Sequence, residues 1–544
     1  MALECVMGID VGTTSSRVTI YQIDGRIVAE GRAAHEACHP HPGWAEQRAE
    51  DWWISVCTAA RKAFDSFPFP HDTIHGVAVT SMRQSFIPLD EALKPLRPGI
   101  LWYDTRHAAQ VDWVQENIGI RKVYEITGSP PGRRAIYKVM WLKQNEPDVY
   151  KRIYRIAFIP DYIQYLLTGE LISTPGIAMT SGCLNAAAPL TWAQDLIAEC
   201  GVDPAIWIPT IWPAGSVVGR VTPQAAAEIG LSQGTPVVLA AGDQACGNLG
   251  VGVCQPGMLG INGGTSCALQ TPSERLPIDQ AMSYFVDFSP AGYYIAENGI
   301  TSGTAALTDW FRDEFGKQER ESAGSEDEIW QKLYDLALDA PPGNNGLLLV
   351  PYLRGANGPL WDPRARGVLV GLMTEHGRAN LMRAVFEGLA YESRKILESM
   401  EAGTSEPVSL VRTYGGASQS KVWNQIFADI LARPVEVTCD PTPVSLGAAI
   451  VAGFGVGLYA DPVAAVQSMI HIACRYEPDE SCTGLYDELY HEVYLHIYPP
   501  LQRIIETASR ATTHRANPLQ QEMVAASGKN IHAANVRGEE FNLI

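Results

Sequence analysis

The chain has 544 residues, 46% hydrophobic content, 49 glycines and a formal net charge of −19. That length predicts two or more α/β domains, and that charge argues against nucleic acid, whose phosphates need basic patches. The eleven cysteines show no CxxC pair or zinc-like spacing, which suits reduced thiols in the cytosol. No run of about 18 apolar residues predicts a membrane span, and no basic region with a long apolar core marks a signal peptide.

The apolar run Cys5 to Ile9 leads into Asp10-Val11-Gly12-Thr13-Thr14-Ser15-Ser16-Arg17, and Val18 to Ile23 closes at the turn pair Asp24-Gly25. This reads as a strand, a tight loop and a second strand. The loop suits phosphate: Gly12 lets the backbone approach, Thr13 and Thr14 offer hydroxyls, and consecutive N–H groups can form an anion nest. Asp10 is placed to hold Mg2+ through water. An ordinary hairpin with a solvated loop is the alternative. Trp52 to Phe64 has helical spacing on Trp53, Val56, Ala60 and Phe64. Val77 to Thr80 reads as a strand, Leu101-Trp102 ends another apolar stretch, and Lys138–Leu142 and Tyr162–Leu167 read as helix pieces.

Pro236 to Ala241 is a short buried strand ending at Gly242-Asp243, with a glycine-rich stretch, Gly247 to Gly252, that offers a hinge. A strand-end Asp such as Asp243 is either an acid facing a ligand or a helix cap. A boundary is placed near residue 250, giving a first domain over 1–250 and a second over 251–505. The second opens on the strand Met258–Ile261 and a second glycine-hydroxyl loop, Gly263-Gly264-Thr265-Ser266. Further strands are expected near Tyr293–Glu297 and Leu347–Val350, and helices over Asn380–Met400 and Lys421–Ala432. Residues 506–544 are expected to form a mobile tail.

Two glycine-hydroxyl loops, each heading one half, suggest an internal duplication closing on one nucleotide. Neither a GxGxxG nor a GxxxxGK[ST] pattern occurs at Asp10, which leaves the duplicated actin-like plan. The chain resembles the FGGY carbohydrate kinases. Gly367 to Leu372, then Asn380-Leu381 and Ala384-Val385-Phe386-Glu387, fit that family's C-terminal pattern. Asp10 to Arg17 resembles the phosphate loop of glycerol kinases, His41 to Gln47 a segment of xylulokinases, and Gly415 to Ser418 the family's adenosine-binding turn.

The resemblance implies two actin-like (ribonuclease H-like) α/β domains with a cleft between them, and ATP-dependent phosphorylation of a sugar or polyol hydroxyl. Asp243 matches the catalytic acid, a base for the acceptor hydroxyl. Thr13 and Thr14 face the β/γ-phosphates from one side, Gly264 and Thr265 from the other. Gly416, Ala417 and Ser420 fall on the adenosine side, although glycerol kinases have Asn where Ser420 stands. Ala305, in Ser302-Gly303-Thr304-Ala305, falls at a further nucleotide-side turn that a plain helix N-terminus also explains. Substrate contacts are implied for Arg83 and Gln84 in Ser81-Met82-Arg83-Gln84, for Trp102 and Asp104 in Trp102-Tyr103-Asp104-Thr105-Arg106, and for Gln244 beside Asp243. Each has a plainer reading: a surface ion pair for Arg83, core for Trp102, a turn pair for Asp104 and Arg106. Glycerol kinases carry Glu where this chain has Gln84, so glycerol loses a bidentate acceptor. A ketose or polyol of about four to six carbons is expected, pentulose first, with autoinducer-type linear ketones and glycerol behind it. An actin- or chaperone-like ATP switch with no sugar substrate is the reading from another class. The expected partners are the small substrate and ATP, with no nucleic acid or membrane and a possible homodimer.

Overall fold

The computed structural model describes residues 4–264 and 267–513. Each half of the chain starts a mixed sheet in the same way. In the first, the strand Cys5–Val11 lies antiparallel to Ser15–Gln22 and parallel to Ile74–Ser81. In the second, Met258–Gly263 lies antiparallel to Cys267–Ser273 and parallel to Leu410–Tyr414. The first sheet has six strands, continuing from Ile74–Ser81 to Pro236–Leu239 and Val217–Arg220; the second has seven. Parallel strands need covered crossovers, and the central strands of the first sheet are apolar almost throughout, as a sheet buried on both faces requires. The repeated strand order is the duplication that the two glycine-hydroxyl loops suggest.

The helix over Trp52–Phe64 extends across Ala49–Ser66, and its buried stripe is Trp52, Val56, Ala59 and Ala63. Of the expected face, Val56 and Ala60 are buried, while Trp52 and Ala63 stand inward in place of Trp53 and Phe64. Trp53 sits at the margin, where its indole N–H donates to Glu228 at 2.6 Å. The strands expected at Val77–Thr80, Pro236–Ala241 and Tyr293–Glu297 are present over Ile74–Ser81, Pro236–Leu239 and Tyr294–Ile300.

Two expectations need correction. The Gly247–Gly252 stretch is no slack joint: Gly247 and Gly250 lie within the helix Asp243–Gly250, which packs backbone to backbone on Pro443–Gly455. A Cβ on Gly250 would stand 1.8 Å from the Pro443 carbonyl oxygen, and one on Gly447 1.8 Å from that of Cys246. The same helix Pro443–Gly455, late in the chain, also leans on the first strand, where a Cβ on Gly8 would meet the Ser445 oxygen at 2.0 Å. A core of Val6, Ala78, Val238, Leu249, Leu446 and Ile450 seals this junction between the halves. Nor does order end at residue 505: the helix Leu495–Thr513 runs on, and 514–544, the rest of the expected tail, lie outside the described residues. Among the described residues no helix is long and apolar enough to cross a membrane.

Candidate active site

Asp10, Arg83 and Asp243 come together because their strands are neighbours and run in parallel. Asp10 pairs with Thr80 across the parallel ladder, Arg83 follows the end of Ile74–Ser81, and Asp243 follows Pro236–Leu239, the next strand across. Ligands of open α/β sheets sit outside such carboxyl ends. Asp243 opens its helix, with Gly242 as the capping residue, and its Oδ1 accepts the Gln244 N–H at 2.8 Å. Its side chain remains 27% exposed, so one face is open to a ligand. Burial pushes the Asp243 carboxyl up to about 6, with Arg83 opposing. Burial pushes Asp10 up to about 7, with repulsion from Asp243 adding to it and Arg17 and Arg32 opposing. Asp10 and Asp243 repel each other, and a cation bound beside them would relieve that repulsion.

The Arg83 guanidinium is less free than its expected substrate role requires. Its Nη1 donates to Asp287 at 2.6 Å and to Glu297 at 2.7 Å, its Nη2 donates to Glu297 at 2.5 Å, and its Nε lies 3.6 Å from Asp243. Asp287 and Glu297 come from the second sheet, so Arg83 joins the two halves. Gln270 donates to the same Glu297. Gln84 takes a left-handed turn (φ 66°), and its amide, oriented by its neighbours, donates to the Arg133 carbonyl at 2.9 Å and accepts from Arg134 Nη1 at 3.1 Å. It braces the loop Ser129–Arg134 instead of pointing at a substrate. The Gln244 amide oxygen accepts from Asn262 at 3.2 Å, tying the Asp243 turn to the strand that leads into Gly264.

Asp104 is corrected outright. Its carboxylate is fully buried and accepts the Ala45 N–H at 2.7 Å and Arg106 Nη2 at 2.8 Å. Although burial opposes it, these bonds hold Asp104 below its ordinary value, and no face is left for a sugar. Arg106 stacks over Trp44 at 3.8 Å, so the turn pair is the reading that holds. Trp102 is part-buried and its indole N–H donates to Thr13 Oγ1 at 3.2 Å, joining the substrate-side loop to the phosphate loop. Beneath it, Lys138 is completely buried and donates to the carbonyls of Leu101 at 2.7 Å and Trp102 at 3.1 Å.

In the second half, the second loop assembles from distant segments. Gly264 accepts the Ala305 N–H at 3.1 Å, which removes that donor from any phosphate. Gly415 (φ 91°) turns the chain so closely that a Cβ there would stand 2.9 Å from the Gly264 nitrogen. Ala417 is buried against Gly263, while Gly416 is exposed with nothing within 4 Å of its Cβ position, a bare surface on which a flat ring can lie. Ser420 is buried and caps the helix Lys421–Leu431, accepting the Trp423 N–H at 3.2 Å, so it does not face a nucleotide. Thr14 is exposed at the rim of its loop. Thr265 lies outside the described residues. The Asn380 to Glu387 pattern is internal bracing: Arg383 binds Glu387 at 2.7 Å, and Tyr486 donates to the same carboxylate at 2.8 Å.

Among the described residues no cluster of three or more His, Cys, Asp or Glu side chains suits a metal. Asp10 and Asp243 alone fit Mg2+ only in its usual manner, with water and substrate phosphate completing the shell. Sequence reasoning missed Asp287, Glu297, Lys138 and Arg134. The first two act 204 and 214 positions away from Arg83, and nothing local marks them.

Residues 5–250 match the N-terminal domain of the FGGY family of carbohydrate kinases, and residues 259–456 match its C-terminal domain. The chain is 28% identical over 507 residues to a gluconokinase of Bacillus subtilis, covering 92% of this chain and 96% of that one. It is 27% identical over 508 residues to a xylulose kinase of Staphylococcus epidermidis, covering 93% and 98%. The crystal structure of a gluconate kinase from Lactobacillus acidophilus superposes with a TM-score of 0.83 at 25% identity, covering 92% of this chain and 98% of that one.

Proposed function

The chain belongs to the FGGY family of carbohydrate kinases, an ATP-dependent kinase of a sugar or polyol, and we propose that Asp243 is the base that activates the acceptor hydroxyl. The observation that carries this reading is the joint placement of Asp10, Arg83 and Asp243 at three neighbouring strand ends, with the Asp243 turn tied through Gln244 and Asn262 to the strand that leads into Gly264. Asp243 takes the hydroxyl proton as the oxygen attacks the γ-phosphorus; the bond from that phosphorus to the β,γ-bridging oxygen breaks, and ADP departs. A carboxyl near 6 is ionised at neutral pH yet basic enough to accept that proton. Thr13 and Thr14 serve the phosphates from the first half and the Gly264 loop from the second, while Gly416 and Ala417 receive the adenosine. Asp10 would hold Mg2+, and the ion would supply charge neutralisation on the phosphates. The acceptor is a chain of about four to six carbons, with the pentulose expected from the sequence among the candidates. The test is a coupled ADP-release assay over pentuloses, polyols and gluconate, run beside Asp243→Ala with ATP binding measured separately. The variant should lose transfer and keep ATP; normal turnover in it refutes the assignment.

A further inference from the structure

Among the described residues near Arg83 and Trp102, two buried cations lack a carboxylate within ion-pair distance: Lys138, which the Leu101 and Trp102 carbonyls hold, and Arg134. Arg134 is only 7% exposed. Its Nε donates to Ser129 Oγ at 2.9 Å, its Nη1 donates to the Gln84 amide oxygen at 3.1 Å, and its guanidinium lies over the Phe285 ring at 4.7 Å. Both hydrogen-bond partners are neutral. Every other buried arginine around the cleft is claimed: Arg83 by Asp287 and Glu297, and Arg106 by Asp104 and Glu46. Among the described residues no carboxylate reaches Arg134 within ion-pair distance, although Asp287 and Glu297 act on it from farther off. Burying a guanidinium without a directly bonded counter-ion is costly, and arginine does not escape by losing its proton. Burial, with Arg83 beside it, pulls Arg134 down to about 10, which still leaves it charged at neutral pH.

We propose that Arg134 receives an acidic group of the acceptor, so that the substrate is a sugar acid and not a neutral ketose. The proposal rests on the kinase reading above and names the substrate class of that site. A planar guanidinium offers paired N–H groups to a carboxylate, a match no hydroxyl equals. Arg83 Nε lies 3.6 Å from Asp243, and the next residue, Gln84, accepts from Arg134 Nη1 at 3.1 Å, so the Arg83–Gln84 turn links the two groups. The acid therefore binds at one end of the carbon chain, while the hydroxyl to be phosphorylated meets Asp243 at the other. Gln84 and Ser129 hold the Arg134 fork in place without neutralising it.

The experiment compares kcat/KM for aldonates of five and six carbons with the ketoses and alditols of equal length, in wild type and in Arg134→Gln and Arg134→Lys. Wild type should prefer an aldonate. Arg134→Gln should lower the aldonate-to-neutral ratio by about 100-fold, chiefly through KM, and Arg134→Lys should recover part of it. A neutral acceptor preferred by wild type, or a ratio that Arg134→Gln leaves unmoved, overturns the proposal while sparing the kinase reading. No turnover of any acceptor by a protein that still binds ATP overturns the kinase reading itself, and the proposal with it.

Discussion

Replacing Asp243 with Asn should abolish turnover and yet make the folded protein more stable at alkaline pH. Burial moves the Asp243 carboxyl from 3.8 to about 6, so the folded chain resists its ionisation more than the unfolded chain does. For an acid raised in this way the contribution is most favourable below pH 3.8 and is lost as pH rises through about 6. The gap is about two pH units, or roughly 3 kcal/mol of ionisation penalty carried by the native protein above pH 6. Asn has the shape of the neutral acid and never ionises, so it escapes that penalty. Urea titrations of the ligand-free protein, followed by tryptophan fluorescence, should show Asp243→Asn more stable by about 3 kcal/mol at pH 8, by about half that at pH 5, and by almost nothing near pH 3.8. A variant that is no more stable than wild type at pH 8, or that gains equally at pH 5 and pH 8, refutes the reasoning.

In wild type, kcat/KM should fall with an acid limb centred near pH 6, by about tenfold between pH 7 and pH 5, because the base must be ionised; a flat profile across that range counts against Asp243. Glu297→Gln removes a charge that raises Asp243 and leaves Arg83 less neutralised, so the acid limb should move to lower pH, read from the same profile. Trp102→Phe keeps the ring but removes the donor to Thr13 Oγ1, and kcat/KM should drop roughly two- to tenfold, the worth of one neutral hydrogen bond. Lys138→Met strands two buried carbonyls, and urea titration should show a loss of about 1–3 kcal/mol, with KM for ATP rising as Trp102 shifts against Thr13.

What could be read from the residues was what neighbours in the chain decide. The strand–loop–strand over Cys5–Gln22 was legible because apolar runs bracket a glycine and a row of hydroxyls. Asp243 at a strand end was legible too, because Pro236–Leu239 is short, apolar and followed by Gly242. The partners of Arg83 were not, since Asp287 and Glu297 reach it only after two sheets have formed and met. Lys138 looked like one more polar residue on an amphipathic helix; only its burial under the Leu101 and Trp102 carbonyls shows its task. Ser420 was misread for the opposite reason: a hydroxyl beside a nucleotide-type turn is also a helix cap, and the local bond to Trp423 prevails. Asp104 was drawn inward by Arg106, two residues on, and by Ala45 from a segment whose Trp44 covers that guanidinium.

The crossing of the helices Asp243–Gly250 and Pro443–Gly455 bears on how the crevice can open. Where Gly250 and Gly447 meet carbonyls with no side chain between them, there is nothing to lubricate a slide. So tight a crossing disfavours sliding and leaves rocking, like a pair of tongs whose rivet is bare main chain, as the motion open to the two halves. Because Asp243 is the first residue of one of these two arms, the carboxylate proposed as the base is anchored beside that crossing. A single methyl added at Gly447 would act as grit in the rivet, altering catalysis from a place that touches neither sugar nor nucleotide.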